Sequence, residues 1–474
     1  MSIPGQATLP LERSPFPDAL SLIRATVLMF TEITCQRLAA SRQAFRCGLP
    51  GLPFAVRLAP LVTGVSMVAT VQSYSTGKNR ASTAEGWDGV VRVSAGGFYG
   101  SGALLFDGHA VLTAAHVVAH AFGTQGGGAS VHFETASGSQ TVAVDRVLLH
   151  PGYDSNGNND LALVWLAEAA PLAAERYDIY RDDDELLQGF VFAGYGVPGT
   201  GRNGMDESYD GDPVRQWGIN RFDADPAILK QSLGPVMGWQ PLMGSQLLAD
   251  FDNGLQSQDA LGRFLGIHER GYAEDEGNLT SGDSGGPAFL AGKVAGVASY
   301  GASLSAGAIA PDYDQVANNA GFGEMAAWQR VSFYQQWIDQ SLRAQYQDAP
   351  DTAASVVRHV TEGHDGASLA YFLLEFTGVR SDPQQWLSVD YCSRDGSAVA
   401  GEDYLAVSGR LVLYPGENKA VIPVEILGDA LPEADETFYL DVFNPVGGSF
   451  GAGVLTLSAM RTIVDDDGWL LASS

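Results

Sequence analysis

Gly282-Asp283-Ser284-Gly285-Gly286-Pro287 is the stretch on which the reading of this chain turns. Glycines on both sides of Ser284 permit a tight turn that exposes the hydroxyl and points backbone N–H groups inward. A serine hydroxyl is a weak nucleophile at neutral pH and needs a base to take its proton. Toward the N-terminus, two other segments can supply one. Val111-Leu112-Thr113-Ala114-Ala115-His116-Val117-Val118 is a strand running into a small-residue turn that presents an imidazole. Asn159-Asp160-Leu161-Ala162-Leu163-Val164 puts a carboxylate at the head of a strongly apolar strand, where burial is expected. A buried carboxylate fixes one imidazole tautomer and stabilises the imidazolium. The expected roles are His116 as base, Asp160 as its orienter, Ser284 as nucleophile, and the N–H groups of Gly282 and Ser284 as an oxyanion hole. Each residue alone has a bland reading: a surface histidine, a turn cap, a Gly-rich loop. Their company and order make the pattern specific.

The surroundings are β-rich. Val90 to Val93, Gly102 to Phe106, Ala110 to Leu112, Gln140 to Leu149, Leu161 to Leu166 and Gly189 to Tyr195 are short apolar runs separated by Gly, Asp and Asn. Strands at such regular spacing predict a barrel or sandwich. Ala326 to Leu342 has apolar residues at helical spacing and predicts a helix capping this unit. After a polar linker, 346–353, a second strand-rich unit at 354–468 shows no helical period and predicts an all-β sandwich. Residues 469–474 are a tail.

In the order His, Asp, Ser, the three segments resemble the trypsin-like (chymotrypsin-fold) serine endopeptidases. The resemblance covers about residues 86–342 of a domain placed at 86–345, and includes Arg330-Val331-Ser332 and Trp337-Ile338 of the C-terminal helix. It implies a chymotrypsin-like double β-barrel with a C-terminal helix, a triad of His116, Asp160 and Ser284, and peptide hydrolysis through an acyl-enzyme. Ser299-Tyr300-Gly301 resembles the strand that pairs with the bound peptide. Asn278 stands where the family floors its primary specificity pocket. With Asn278 neutral, Leu279 beside it and Ala326 near an expected pocket-wall glycine, the implied preference is for a small or medium uncharged residue. Gly194-Tyr195-Gly196 resembles the family's Gly-aromatic-Gly turn; Pro198 and the lack of a following helix argue against a dinucleotide loop.

Two departures matter. The protease segment has no cysteine, which favours a bacterial-type enzyme. Asn79 to Val91 replaces the Ile-Val-Gly-Gly start, whose freed amino group in the family pairs with the acid before the nucleophile, so the partner of Asp283 stays open. In the inserted polar stretch from Thr200 to Asp275, Asp250, Asp252 and Asn253 resemble a cation-binding turn, and a solvated loop is the preferred reading.

The 474 residues include 55 Asp+Glu against 27 Lys+Arg, a formal net charge of −28, and 45 % are hydrophobic. That length suits several domains of about 100–200 residues each and excludes wholesale disorder. The acid surplus repels phosphate backbones, which excludes nucleic acid as a partner. Cys35, Cys47 and Cys392 are too few and scattered for a disulfide scaffold or a four-ligand zinc site. Up to residue 86 the balance reverses, with eight basic residues against four acidic. This leader, 1–85, holds an apolar run from Leu58 to Thr70 behind Arg57, the layout of a secretory signal and too short to span a bilayer. The run starts later than the first 30 or so residues where a signal belongs. Either the true start lies downstream, or residues 1–50 are an extension; a core segment of a small prodomain is the third reading. The expectation is a leader that is removed or disordered, a secreted or periplasmic bacterial protein, and no integral membrane segment.

From Asp351 onward 19 acids face 6 bases, and the acids gather at strand ends. Oxygen ligands from separate loops suit Ca²⁺, which takes six to eight of them. A solubilising acidic rim is the plain alternative. Thr361-Glu362-Gly363, Gly401-Glu402-Asp403-Tyr404, Tyr414-Pro415-Gly416-Glu417, Glu433-Ala434-Asp435-Glu436 and Val464-Asp465-Asp466-Asp467 resemble, in order, the Calx-beta domain, an immunoglobulin-like β-sandwich. Its calcium ligands would fall on Glu362, Asp403, Asp429, Glu433, Glu436, Asp465, Asp466 and Asp467. Gly428 departs from the pattern, since another acid often stands beside Asp429.

The combined reading is a secreted serine endopeptidase acting on proteins or peptides. Its Calx-beta module binds Ca²⁺ and places the enzyme on a cell-surface or matrix partner, and the chemistry itself needs no cofactor. The alternative is a non-catalytic, calcium-dependent adhesion protein with a vestigial protease fold. The intact triad argues against it.

Overall fold

The computed structural model describes residues 69–70, 76–119, 128–154, 156–269 and 271–467. Most of the leader, with Cys35, Cys47 and Leu58 to Val68 of the signal-like run, and the tail from residue 468 lie outside the described residues.

Six antiparallel strands close the first barrel: β1 (Val90–Ala95), β2 (Phe98–Leu104), β3 (Ala110–Thr113), β4 (Ser130–Thr135), β5 (Gly138–Leu149) and β6 (Ala162–Leu166), in the order β1-β2-β3-β6-β5-β4. β3 and β6 are buried along their whole length, as their uninterrupted apolar runs require. β4 alternates buried with half-buried residues and so keeps one face toward water. A short helix, α1 (Ala115–Ala119), follows β3 and carries His116.

The second half is a six-stranded antiparallel sheet of β7 (Gly189–Gly194), β8 (Gln216–Arg221), β9 (Gln246–Asp250), β10 (Pro287–Leu290), β11 (Lys293–Ala302) and β12 (Met325–Arg330), ordered β8-β7-β10-β11-β12-β9. A bridge from Ala224 to Leu248 ties the chain beyond β8 to β9. Phe190, Phe192 and Phe222 surround the fully buried Trp328 and fill the interior. The segment between β8 and β10 adds α2 (Pro226–Leu233) and α3 (Ala260–Leu265), and α4 (Val331–Arg343) follows β12. The two halves form a chymotrypsin-like double barrel.

Three sequence expectations change here. The C-terminal helix starts at Val331; Ala326 to Arg330 is strand, paired with β9 on one side and β11 on the other. Small apolar residues fit either state, and pairing decides. Asp250 and Asp252 are each 2 % exposed, so the turn they form is no solvated loop. Finally, composition groups residues 69–85 with the leader, whereas packing places the described part of them with the barrels. Ala69–Thr70 pairs with Gly277–Asn278 and with Gly199–Thr200, Ala81 joins the first-barrel core, and Arg80 bridges to Gln216. The packed domain therefore begins before residue 86.

The C-terminal unit is a sandwich of seven strands: β13 (His359–Thr361), β14 (Ala367–Glu375), β15 (Leu387–Asp395), β16 (Ser408–Leu413), β17 (Lys419–Leu427), β18 (Glu436–Val446) and β19 (Thr456–Val464). One sheet runs β13-β19-β18-β15-β16 and the other pairs β14 with β17. Phe372, Tyr404, Ile422 and Phe438 lie in the core between them. Among the described residues no helix is long and apolar enough to cross a membrane.

Candidate active site

His116 and Asp160 meet as the sequence predicts. The His116 backbone N–H donates to Asp160 Oδ1 at 2.9 Å, and Nδ1 lies 2.7 Å from Oδ2, with its N–H donating to the carboxylate. Ser299 Oγ donates to the same Oδ2 at 2.7 Å and itself accepts from Gln329 Nε2 at 3.1 Å. The Asp160 side chain is 3 % exposed and that of His116 34 %, so the carboxylate is a buried anchor and the imidazole reaches solvent. Nδ1 is fixed, and Nε2 is left for chemistry. Asn159, with φ of 53°, turns the chain into Asp160, and Tyr334 of α4 donates to its side-chain oxygen at 3.2 Å.

The nucleophile loop is held against this pair. Gly285 has φ of +85°, and a Cβ there would lie 2.1 Å from Thr113 Oγ1 and 2.9 Å from the Ala114 nitrogen, within the turn that leads to His116. Only glycine allows that approach. Ser101 N–H donates to the Ser284 carbonyl at 2.7 Å and Ser101 Oγ to the Gly282 carbonyl at 2.8 Å. Val197 N–H donates to the Ser281 carbonyl at 2.7 Å. In a trans peptide C=O and N–H point opposite ways, so turning the Ser281 carbonyl toward Val197 aims the Gly282 N–H the other way. Neither the Gly282 nor the Ser284 N–H has an acceptor among the described residues. Two unpaired donors beside the half-buried Ser284 meet the requirement for an oxyanion hole.

Asp283 answers the question the sequence left open. It is fully buried, with Oδ1 accepting from Gly196 N–H at 2.8 Å and Oδ2 from Thr280 N–H at 2.9 Å and Thr280 Oγ1 at 3.1 Å. Burial pushes its carboxyl up to about 6, against the pull of these donors. The loop is thus braced from within, by Thr280 and the Gly194-Tyr195-Gly196 turn.

A cavity of about 160 Å³ beside Ser284 is lined by Asn278, Leu279, Ser299, Tyr300 and Gly301, the residues that sequence assigns to substrate binding. Ala326 is absent from its lining and packs in the second-barrel core. Sequence reasoning missed Met205, Ala320 and Glu324, which also line it. Glu324 is 1 % exposed and accepts from the N–H groups of Asn318 and Ala320 at 2.5 and 2.7 Å, so its charge is committed to the loop. Thr280, Val197 and Ser101 are also beyond local reading, although the Gly-aromatic-Gly turn marks Gly196, which donates to Asp283.

In the sandwich, one carboxylate oxygen from each of Asp403, Glu433 and Glu436 lies within 4.8 Å of the others. Burial, and then the charges of Asp429, Glu433 and Asp465, push Glu362 up to about 7. Glu436 rises to about 7 through burial and the nearby Asp403. Asp465 Oδ2 accepts from Glu433 N–H at 3.0 Å. Asp466 and Asp467 turn elsewhere, to Gly363 N–H at 3.0 Å and His364 Nδ1 at 2.6 Å. A Cβ at Gly428 would lie 2.7 Å from the Gly363 carbonyl, so no acidic side chain fits there.

A double barrel with this His–Asp pair and glycine-bounded serine at the junction of its halves defines the trypsin-like serine protease class. Residues 75–210 match the family model Trypsin, which spans His116 and Asp160 and ends before Ser284, and residues 373–467 match the Calx-beta domain. The chain therefore joins a trypsin-like domain to a C-terminal Calx-beta domain. Similar curated proteins include human sodium/calcium exchanger 2, 33 % identical over 27 % of this chain and 17 % of its own length. The Drosophila melanogaster sodium/calcium exchanger Calx is 36 % identical over 19 % of this chain and 9 % of its own, and the Danio rerio adhesion G-protein coupled receptor V1 is 33 % identical over 17 % and 1 %. This chain thus spans less than a fifth of the length of these relatives. A solved structure of neuropsin, a serine protease of mouse brain, has 16 % identity and a TM-score of 0.39, covering 56 % of this chain and 99 % of its own.

Proposed function

We propose that the protein is a secreted or periplasmic serine endopeptidase whose Calx-beta domain binds calcium. The observation that carries the enzymatic reading is the fixed Asp160–His116 pair beside a serine flanked by two unpaired N–H groups. Ser284 Oγ attacks the scissile carbonyl carbon as His116 Nε2 takes its proton. The oxyanion lies toward the Gly282 and Ser284 N–H groups, and the imidazolium passes its proton to the leaving amine. Water, deprotonated by the same nitrogen, then hydrolyses the ester and restores Ser284. The neutral Asn278, Leu279 and Ala320 in the pocket favour a small or medium uncharged side chain before the cleaved bond. Covalent labelling by a fluorophosphonate that disappears in Ser284→Ala tests the assignment. Absence of labelling in the parent protein overturns it.

The internal bracing of Asp283 favours an active loop that needs no freed amino group. Thr280→Val keeps the backbone N–H and removes one donor to the ionised carboxylate, so the Asp283 pKa rises further. Protonation replaces an acceptor by a donor and breaks the brace. The acid limb of the kcat/KM profile is therefore expected to move to higher pH in Thr280→Val, with activity recovering on its alkaline side. A fall that is equal at every pH would show that Thr280 only fills space.

In the sandwich, Asp403, Glu433 and Glu436 are the proposed centre of the calcium site, with Glu362, Asp429 and Asp465 around them. Neutralising Glu433 and Glu436 to glutamine is expected to weaken calcium binding at least tenfold in equilibrium dialysis. Unchanged affinity and stoichiometry would rule this site out.

A further inference from the structure

Beyond β9 the chain passes through Asp250 and Asp252, enters α3 behind its N-cap Asp259, and returns past Glu269 and Glu276. Asp250, Asp252, Asp259 and Glu276 are all buried, between 1 and 4 % exposed. One oxygen from each of Asp250, Asp252 and Asp259 lies within 4.8 Å of the others, and the same holds for Asp252, Glu269 and Glu276. Oxygens so spaced can share one ion with metal–oxygen distances of about 2.3–2.6 Å.

Asp252 stands apart from its neighbours. Leu261 N–H donates to Asp250 at 2.7 Å, Gly262 N–H to Asp259 at 2.6 Å, Gly271 N–H to Glu269 at 2.7 Å, and the N–H groups of Asp252 and Tyr272 to Glu276 at 2.7 Å each. Those carboxylates are held in place. Both oxygens of the Asp252 carboxylate are buried and accept no hydrogen bond at all. An unpaired buried carboxylate is strongly unfavourable unless a charge meets it. Arg221 is already engaged by Asp223 at 2.5 Å and lies 3.7 Å from Glu269, and His268 Nδ1 is 2.6 Å from Asp259. Burial and mutual repulsion push Asp252 up to about 8 and, with burial foremost, Glu276 up to about 9. An open cavity lined by Asp252, Asn253, Thr200 and Tyr313 gives a small ion a route in.

We infer that the second barrel holds a calcium ion at Asp252, flanked by Asp250 and Asp259 on one side and by Glu269 and Glu276 on the other. Calcium fits because every donor is a hard oxygen and the cage is irregular, which suits its adaptable coordination. The ion supplies the counter-charge that Asp252 lacks and clamps the turn after β9 to α3 and to the segment leading to Asn278.

The test uses the full chain stripped with chelator and equilibrium dialysis against calcium alone. The Glu433→Gln, Glu436→Gln chain, whose sandwich site is disabled, is expected to retain one bound calcium. Adding Asp252→Asn is expected to remove it, while Asp252→Asn alone lowers the parent stoichiometry by one. Should Asp252→Asn fail to fold, Glu276→Gln takes its place, and the melting temperature of the Glu433→Gln, Glu436→Gln chain gives an independent reading. A rise of several degrees from chelator to millimolar calcium supports the site. An identical melting temperature, or Asp252→Asn binding as much calcium as its parent, overturns it. Loss of the sandwich ions alone leaves these readings intact, so the two sites are separable.

Discussion

Ser284→Ala is expected to lower kcat on a peptide substrate by about 10⁶-fold while leaving KM within a few-fold. The size follows from the chemistry: without Oγ there is no acyl-enzyme, and the remaining catalysis comes from the Gly282 and Ser284 N–H groups and from substrate binding. The pocket residues Asn278, Tyr300 and Gly301 are untouched, so ground-state binding persists. Asp160→Asn is expected to cost about 10⁴-fold, because the amide no longer enforces the tautomer that leaves Nε2 as acceptor. Ser299 and the His116 N–H contact that carboxylate as well, so Asp160→Asn also disturbs a three-donor network. Kinetics on purified parent and variant proteins check both. A Ser284→Ala protein as active as its parent would remove the triad as the source of hydrolysis.

The local segments around His116, Asp160 and Ser284 were easier to read in the sequence than the architecture around them. His116, Asp160 and Ser284 were legible because each sits in a short segment whose glycines or apolar run define its local geometry. The β6 strand and the turn at Ser284 needed no long-range information. Thr280 was invisible as a brace for Asp283, because its role depends on the chain folding back over three residues and on Gly196 arriving from the turn beyond β7. The boundary between β12 and α4 was misplaced for a related reason. Ala326, Ala327 and Trp328 have no strong preference of their own, and pairing with β9 and β11 settles them as strand. The Asp250–Asp252 turn looked solvated because its sequence is polar. Its burial depends on chain 7 to 26 residues further along, which folds back and brings Asp259, Glu269 and Glu276 against it.

The contact between barrels and sandwich had no local sequence signal, and it leads to the largest expected stability effect. Arg176, after β6, meets Glu425 of β17 through paired bonds, Nε to Oε2 at 2.8 Å and Nη2 to Oε1 at 2.9 Å. The side chains are 12 % and 3 % exposed, so water does not solvate the pair when one partner is lost. Arg176 also donates to the carbonyls of Pro171 and Ala174 at 2.7 and 2.6 Å, which fixes the guanidinium from the barrel side. Arg176→Ala therefore leaves Glu425 buried and unpaired, and a loss of about 3–5 kcal/mol is expected in denaturant unfolding. Removing both charges is much milder: Arg176→Met with Glu425→Met should recover most of that loss, since apolar residues of similar volume replace buried ion pairs at little net cost. Arg343 with Glu417, and Arg181 with Asp339 and the Tyr414 hydroxyl, hold the same interface elsewhere. The single variant should therefore unfold in two steps, with the sandwich loosening first, while the double variant keeps one. Equal stability of Arg176→Ala and its parent would mean that Glu425 finds water or another cation, and that the interface rests on its other contacts. β17 ends at Leu427, two residues after Glu425, and the chain then passes through Gly428 to Asp429, at the edge of the proposed sandwich calcium site. An intact ion pair fixes the strand that leads to Asp429, which gives the docking of the two domains a direct bearing on how firmly that end of the sandwich is held.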